Sequence, residues 1–384
     1  MPALRTHSFT ESAIRSMSRL AQQHGAINLA QGMPDFPMPQ PMKDAACAAI
    51  QGDMNQYANS WGAAPLRLAL AERYRRLHGM QVDSDLEVTV TCGATEAMTA
   101  TFMALLDEGD EVIILEPFHE NCVPHAALAG ARPVFVTLEA PDWKLDVERI
   151  RAAITRRTRA ILLNTPHNPT GRVFTRAEME ALASLCLERD LLVFTDEPYE
   201  HIVFAGHHHP MATMPGMQDR TVTISSLSAT FACTGWRIGW AIAPAVFTEA
   251  IRKVHDFLTL GAPAPLQAAA ATGLAFDADY YNSLAADFRV RRDLLCTSLS
   301  DAGFTFSVPE GAFYVLANFA AISELDDREF ALWLTQDVGV AAVPGSSFYH
   351  KRTSGGSTVR FAYCKSIDAL EMAGGRLVNA FQAA

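Results

Sequence analysis

The sequence predicts an α/β fold with a mostly parallel central sheet covered by helices on both faces, followed by a smaller α+β region. Three observations carry this reading. Six short apolar runs alternate with helical stretches between residues 87 and 228. Those runs are continuously apolar, as strands covered on both faces are. From about residue 286 the pattern changes to a long helix, three short strands and a last helix.

The elements follow in chain order. "MPALRTHSFTESAIRSMSRLAQQ" reads as an amphipathic helix and lacks the apolar core of a secretory signal. "EVTVTCG" (87–93) reads as a strand, and "ATEAMTATFMALLD" as the helix after it. "DEVIILEP" (110–117) is the next strand and "HENCVPHAALAG" a helix. "ARPVFVTLE", "TRAILLNTP" (158–166), "LLVFTDEPY" (191–199) and "TVTISSLS" (221–228) complete the set. "TRAEMEALASLCLERD" is a helix with Thr175 as its N-cap and Glu178 as capping-box partner. In the C-terminal part, "ADFRVRRDLLCTSLSDAG" is helical, and "FYVLANF", "VAAVPG" and "TVRFAYC" are strands. The expected division is an N-terminal segment 1–45 packing on the small domain, a large domain 46–285 and a small domain 286–384.

Bulk properties narrow the function classes. A chain of 384 residues suits one large or two moderate domains. With 49% hydrophobic and 19% charged residues it falls outside the disordered class. A net charge of −11 argues against nucleic acid or an anionic membrane as partner. No apolar run reaches the about 20 residues that span a bilayer. Seven cysteines without a CxxC pair argue against zinc ribbons and point to reduced thiols in a cytoplasmic setting. No metal site is expected: the histidines of "GHHHP" (206–210) lack ligand spacing and read as a solvated loop.

Candidate chemistry gathers at the carboxyl ends of the predicted strands, where open α/β sheets bind ligands. After "EVTVT", the small residues Cys92-Gly93-Ala94-Thr95 open a helix, so backbone N–H groups can face an anion. Ser226 and Ser228 add hydroxyls, and Arg237 adds a forked cation suited to phosphate. Each taken alone also reads as an ordinary turn or surface loop. "NTPHNPTG" (164–171) is a Pro-Gly turn in which Asn168 can donate to a ligand oxygen. Asp196 ends a very apolar strand, one turn before Tyr199. It is either an N-cap or a carboxylate that requires a cationic partner.

Taken together, these motifs resemble the class I/II aminotransferases of the pyridoxal-phosphate fold type I group, closest in flavour to the kynurenine, glutamine and methionine enzymes. The resemblance runs from about Asn28 to Arg360 and follows the family's order: "AQGMPDFPMP", "NQYANSWGAAPLRLALAERY", "TCGATEA", "EPFHENC", "NTPHNPTG", "TDEPY", "SSLSATFACTGWRIGW" and "VRFAYCK". It implies pyridoxal 5′-phosphate as cofactor, an amino acid and a 2-oxo acid as substrates, and a homodimer with shared sites. Ala94, Thr95, Ser226, Ser228 and Arg237 are then expected to hold the phosphate. Asp196 is expected to pair with the pyridine N–H⁺, and Tyr199 and Asn168 to bond the ring oxygen. Arg360 is expected to clamp the substrate α-carboxylate, with Gly32 lining the same pocket. Tyr57 is expected to reach the neighbouring subunit's phosphate, and Trp61 to shape the substrate pocket, with Phe36 and Phe348 adding apolar character.

Two positions depart from the family pattern. His119 stands where the family stacks an aromatic ring; it can stack or carry a proton. Ala229 stands where the family has the Schiff-base lysine, which also shuttles the proton during catalysis. None of Lys43, Lys144, Lys253, Lys351 or Lys365 lies beside the strand-end motifs. Every other element remains, and a lysine-to-alanine change cannot arise from one base change. Ala229 is therefore read as an engineered replacement, leaving an inactive chain that holds the cofactor non-covalently, as pyridoxamine phosphate or an external aldimine. Elimination, replacement, cyclisation or C–C bond formation on the same scaffold stays open, as does a naturally lysine-less binding protein.

Overall fold

A computed structural model describes residues 3–7 and 9–382. Seven strands form the large sheet: β1 (Val88–Thr91), β2 (Glu111–Glu116), β3 (Arg132–Thr137), β4 (Thr158–Asn164), β5 (Leu192–Asp196), β6 (Thr221–Ser226) and β7 (Gly239–Ile242). Their order is β1-β7-β6-β5-β4-β2-β3. All neighbours are parallel except at β7, which runs antiparallel to both β1 and β6. Six strands match the sequence reading; β7, the run "GWAI", is an addition to it.

The covered-sheet prediction is visible residue by residue. Along β2, Ile113 and Leu115 face one core cluster, and Val112 and Ile114 the other. In β4, Ile161 and Leu163 face the first, Ala160 and Leu162 the second. A strand has a period of two, so alternate apolar residues feed opposite faces. Helix 176–189 covers the first face through Met179, Leu182 and Cys186. Its capping box forms as expected, Thr175 and Glu178 each closing on the other's backbone. Helices 94–105 and 245–258 cover the second face and pack on each other. Fully burying a side chain such as Phe102 or Phe194 there contributes about 1.5–3 kcal/mol.

The C-terminal part holds a three-stranded antiparallel sheet: β8 (Tyr314–Asn318), β9 (Val343–Pro344) and β10 (Thr358–Ala362), with β10 in the centre. The long helix in front of it starts at Ala278, inside the segment expected to belong to the large domain, and runs to Asp301. The N-terminal helix Ala13–His24 is capped by the Ser12 side chain. After it, Ile27–Asn28 pairs in parallel with Val340–Ala341, so this short strand and the helix before it contact the C-terminal part. Met1, Pro2 and Ser8 of the expected N-terminal helix lie outside the described residues. Among the described residues no helix is long and apolar enough to cross a membrane.

Candidate active site

Register assembles the site. Gly239 opens β7 opposite Thr91 on one side and Ser226 on the other. This places the turn after β1, the end of β6 and Arg237 around one point. Gly93 takes φ +82°, a backbone conformation that glycine adopts without strain. A Cβ there would collide with the Arg237 guanidinium, and one on Gly239 with the Gly93–Ala94 backbone. Ala94 and Thr95, at the start of helix 94–105, line the cleft together with Ser226, Ser228 and Arg237. Arg237 itself has a left-handed backbone, φ 53°. Among the described residues its guanidinium donates only to main-chain oxygens, those of Thr234 at 3.1 Å and Cys92 at 3.4 Å. No described carboxylate pairs with it, so its charge is free for an anion.

Asp196 stands next to Asn164 at the ends of β5 and β4. The Asn164 amide donates to the Asp196 carbonyl at 2.8 Å and reaches its carboxylate at 3.4 Å. No described cation pairs with this carboxylate. Burial, reinforced by neighbouring Glu197, pushes it up to about 7. Tyr199 lies one turn on, its hydroxyl 3.2 Å from that of Tyr314. Burial holds the Tyr199 phenol well above its ordinary range, so it remains protonated and available as a donor.

Arg360 comes from the centre of the small sheet, paired with Leu316 and Val343. It is fully buried, stacked over Tyr314 at 4.2 Å and Phe348 at 5.0 Å. It donates to Asn168 Oδ1 at 2.9 Å and to the Ala30 carbonyl at 2.8 Å, while Nε has no partner among the described residues. A buried guanidinium without a carboxylate is costly unless an anion joins it. Gly32 and His119 also line the cleft. Burial, with the Arg360 charge adding to it, lowers His119 to about 3. Its imidazole is therefore neutral and a poor base, which matches stacking better than proton transfer.

Several expected residues take other places. Asn168 is buried just behind the cleft wall and acts on Arg360. Ala229 follows Ser228 but is buried in the core rather than in the wall. Trp61 is absent from the cleft of its own chain; it stacks under Arg252 at 4.6 Å, because helix 245–258 presents that arginine to it. Phe36 packs on Phe288, and Phe348 lies beneath Arg360, so neither lines the wall. Tyr57 stands out from its own chain at 86% exposure. None of the five lysines lines the cleft, and Lys365 is spent on the Met33 carbonyl at 2.7 Å. Among the histidines of 207–209, His208 is not solvated: its side chain is buried on Glu197 at 2.8 Å. The wall also contains Ile14, Gln31, Asn164 and Tyr314, which the sequence reading did not single out.

The cleft is open to solvent and brings the turn around Gly93, Asp196 and Arg360 together along one wall. A phosphate fits the turn around Gly93. A ring cation fits the unpaired Asp196, and a carboxylate fits the unpaired Arg360. This combination defines an enzyme of the pyridoxal-phosphate fold type I class. The model of the aminotransferase class I and II family matches residues 24–377, and the chain belongs to that family. The solved N-succinyldiaminopimelate aminotransferase from Mycobacterium tuberculosis is 40% identical, with a TM-score of 0.96 over 98% of this chain and 99% of that one. The methionine aminotransferase of Escherichia coli is 40% identical over 91% of this chain and 89% of its own length. Kynurenine–oxoglutarate transaminase 1 of Homo sapiens is 36% identical over 86% of each. The family uses pyridoxal 5′-phosphate, and the protein is a pyridoxal-phosphate-dependent transferase of the aminotransferase type.

Proposed function

We propose that this chain binds pyridoxal phosphate without covalent attachment and is arrested at Ala229. With lysine at that position, it moves the amino group of an L-amino acid with a neutral side chain to a 2-oxo acid. The observation that carries the substrate class is the cleft's charge. Among the described residues, Arg237 and Arg360 are the only arginines or lysines in its wall, and both histidines there, His119 and His125, are held neutral by burial. Once Arg237 meets the phosphate and Arg360 the α-carboxylate, no further arginine or lysine among the described residues lines the wall to meet a second carboxylate.

The bound cofactor supplies an electron sink that weakens the substrate Cα–H bond. The chain does the remaining work. Arg360 orients the α-carboxylate by a forked pair, steadied by Asn168 and the Ala30 carbonyl. Asp196, as carboxylate, holds the ring N–H⁺, and protonated Tyr199 donates to the ring oxygen. Ser226, Ser228, Arg237 and the N–H groups of Ala94 and Thr95 fix the phosphate. Position 229 is where the proton between Cα and the cofactor would be handled, and a methyl group cannot do so. Ala229 is best accounted for as an engineered replacement of lysine, since the rest of the constellation stands intact.

A homodimer completes the proposal. Tyr57 is exposed close in sequence to exposed Ile50 and Met54, and Phe257 at 94% and Leu260 are also uncovered. Apolar exposure of this kind suits a second copy, to whose phosphate Tyr57 would reach. The deciding experiment restores Ala229→Lys and screens amino acids by the spectral change to the pyridoxamine form. Methionine, glutamine, kynurenine and aromatic amino acids are expected to yield their 2-oxo acids, and aspartate not to. Release of ammonia in place of stoichiometric pyridoxamine phosphate would overturn transamination; turnover by the unrestored Ala229 chain would overturn the arrest.

A further inference from the structure

Behind the phosphate end of the cleft lies a buried relay that the reaction leaves unused. Glu96 sits in the first turn of helix 94–105, directly after Ala94 and Thr95. One of its carboxylate oxygens accepts from the Cys92 N–H, at the root of the phosphate turn. The other accepts from the Thr259 hydroxyl at 2.6 Å and faces His255 Nδ1 at 2.7 Å. The second ring nitrogen, Nε2, faces the Ser60 carbonyl at 2.7 Å. His255 is fully buried.

Both partners of this ring are acceptors. A neutral imidazole has one N–H and one lone pair, so it satisfies only one of them; the imidazolium donates to both. Burial is the largest single influence and disfavours the charge, but the Glu96 bond and charge, with the Ser60 carbonyl, together outweigh it and raise His255 above its ordinary value. Asp256, next on the helix, acts in the same direction. Arg252, one turn earlier, is directed over Trp61, and the Cys92 thiol beside Glu96 is raised by burial and stays neutral. The relay therefore links the turn at Cys92–Thr95 to the loop at Ser60–Trp61 through one proton.

We propose that His255 is a positioning residue for the phosphate cradle: as an imidazolium it locks Glu96, and through Glu96 the turn that receives the phosphate. This rests on the reading of the cleft as a pyridoxal-phosphate site. Binding of pyridoxamine 5′-phosphate is measured calorimetrically from pH 6.5 to 9.5 in the parent chain and in the His255→Gln, Glu96→Gln and Thr259→Val variants. The parent Kd is expected to weaken about tenfold more than that of His255→Gln across this range, as the charge-assisted bonds are lost. His255→Gln shares the ligand's own titration and so isolates the effect. Thr259→Val is expected to bind about threefold more weakly while retaining the parent's pH step, because one neutral bond is lost. Equal pH profiles for parent and His255→Gln overturn the proposal. If that variant fails to fold, Kd values for Glu96→Gln and Thr259→Val within twofold of the parent's overturn it. A parent chain that binds no pyridoxamine phosphate at pH 6.5 overturns the cofactor reading itself, whereas binding indifferent to these residues overturns only the relay.

Discussion

Asp196 gives the sharpest quantitative test. Burial moves its carboxyl from the ordinary aspartate value of 3.8 up to about 7 in the chain without cofactor. The folded state therefore binds this proton more tightly than the unfolded state. The stability contributed by the raised value is present below the unfolded pKa and is lost as pH rises towards the folded one. With those two values, linkage makes the loss between pH 5 and pH 8 about 2–3 kcal/mol. Asp196→Asn has no proton to lose and is expected to lack this slope. The assay is urea denaturation of cofactor-free parent and variant at both pH values, taking the difference of differences so that other titrating groups cancel. The variant is expected to gain about 2–3 kcal/mol on the parent from pH 5 to pH 8, and to bind pyridoxamine phosphate more weakly. A gap between the two proteins that stays constant with pH would refute the reasoning, because Asp196 would then already be matched inside the chain.

Other outcomes follow from the same geometry. On the Ala229→Lys background, Arg360→Lys is expected to lower kcat/KM by about 100-fold, since a point charge replaces the forked pair; steady-state kinetics measure it. Gly93→Ala is expected to destabilise the chain by about 1–2 kcal/mol through its left-handed φ and to weaken phosphate binding through the clash with Arg237, read by denaturation and calorimetry. His119→Phe on the lysine background is expected to keep rate and products within about twofold, as a neutral stacking ring has little proton chemistry to lose; a large fall would restore the acid–base role. Arg73→Met leaves the buried Glu200, now paired at 2.8 Å, without its main cation and is expected to cost about 3–5 kcal/mol in urea denaturation.

What the sequence disclosed and what it concealed divide along sequence distance. Gly93–Thr95, Ser226–Ser228, Asp196–Tyr199 and Arg237 lie in short motifs at strand ends, where spacing alone carries the chemistry. Asn164 was within reach of the same logic: it is the last residue of its strand and so shares the rim with Asp196. Tyr314 and Ile14 were not, because their place depends on how the small sheet and the N-terminal helix pack over the rim. Trp61 misled for a related reason, since its neighbour Arg252 lies far away in sequence. The burial of His208 depends on Glu197, which no spacing rule connects to it. The strand β7 is four residues long and follows directly on the "TGWRIG" turn, so its apolar run reads as part of the loop.

The ions left unmatched in the cleft impose a rule on what enters it. The wall presents one carboxylate and two guanidinium groups that find no opposite charge among the described residues. A guest with a ring cation, a phosphate and a carboxylate neutralises all three at once. A guest lacking the carboxylate or the ring cation leaves the buried Arg360 or the half-buried Asp196 uncompensated, whereas the exposed Arg237 stays hydrated without a phosphate. The penalty for a wrong guest is therefore concentrated at the ring and carboxylate ends of the cleft, and the cofactor and the amino acid each supply a charge that the other cannot.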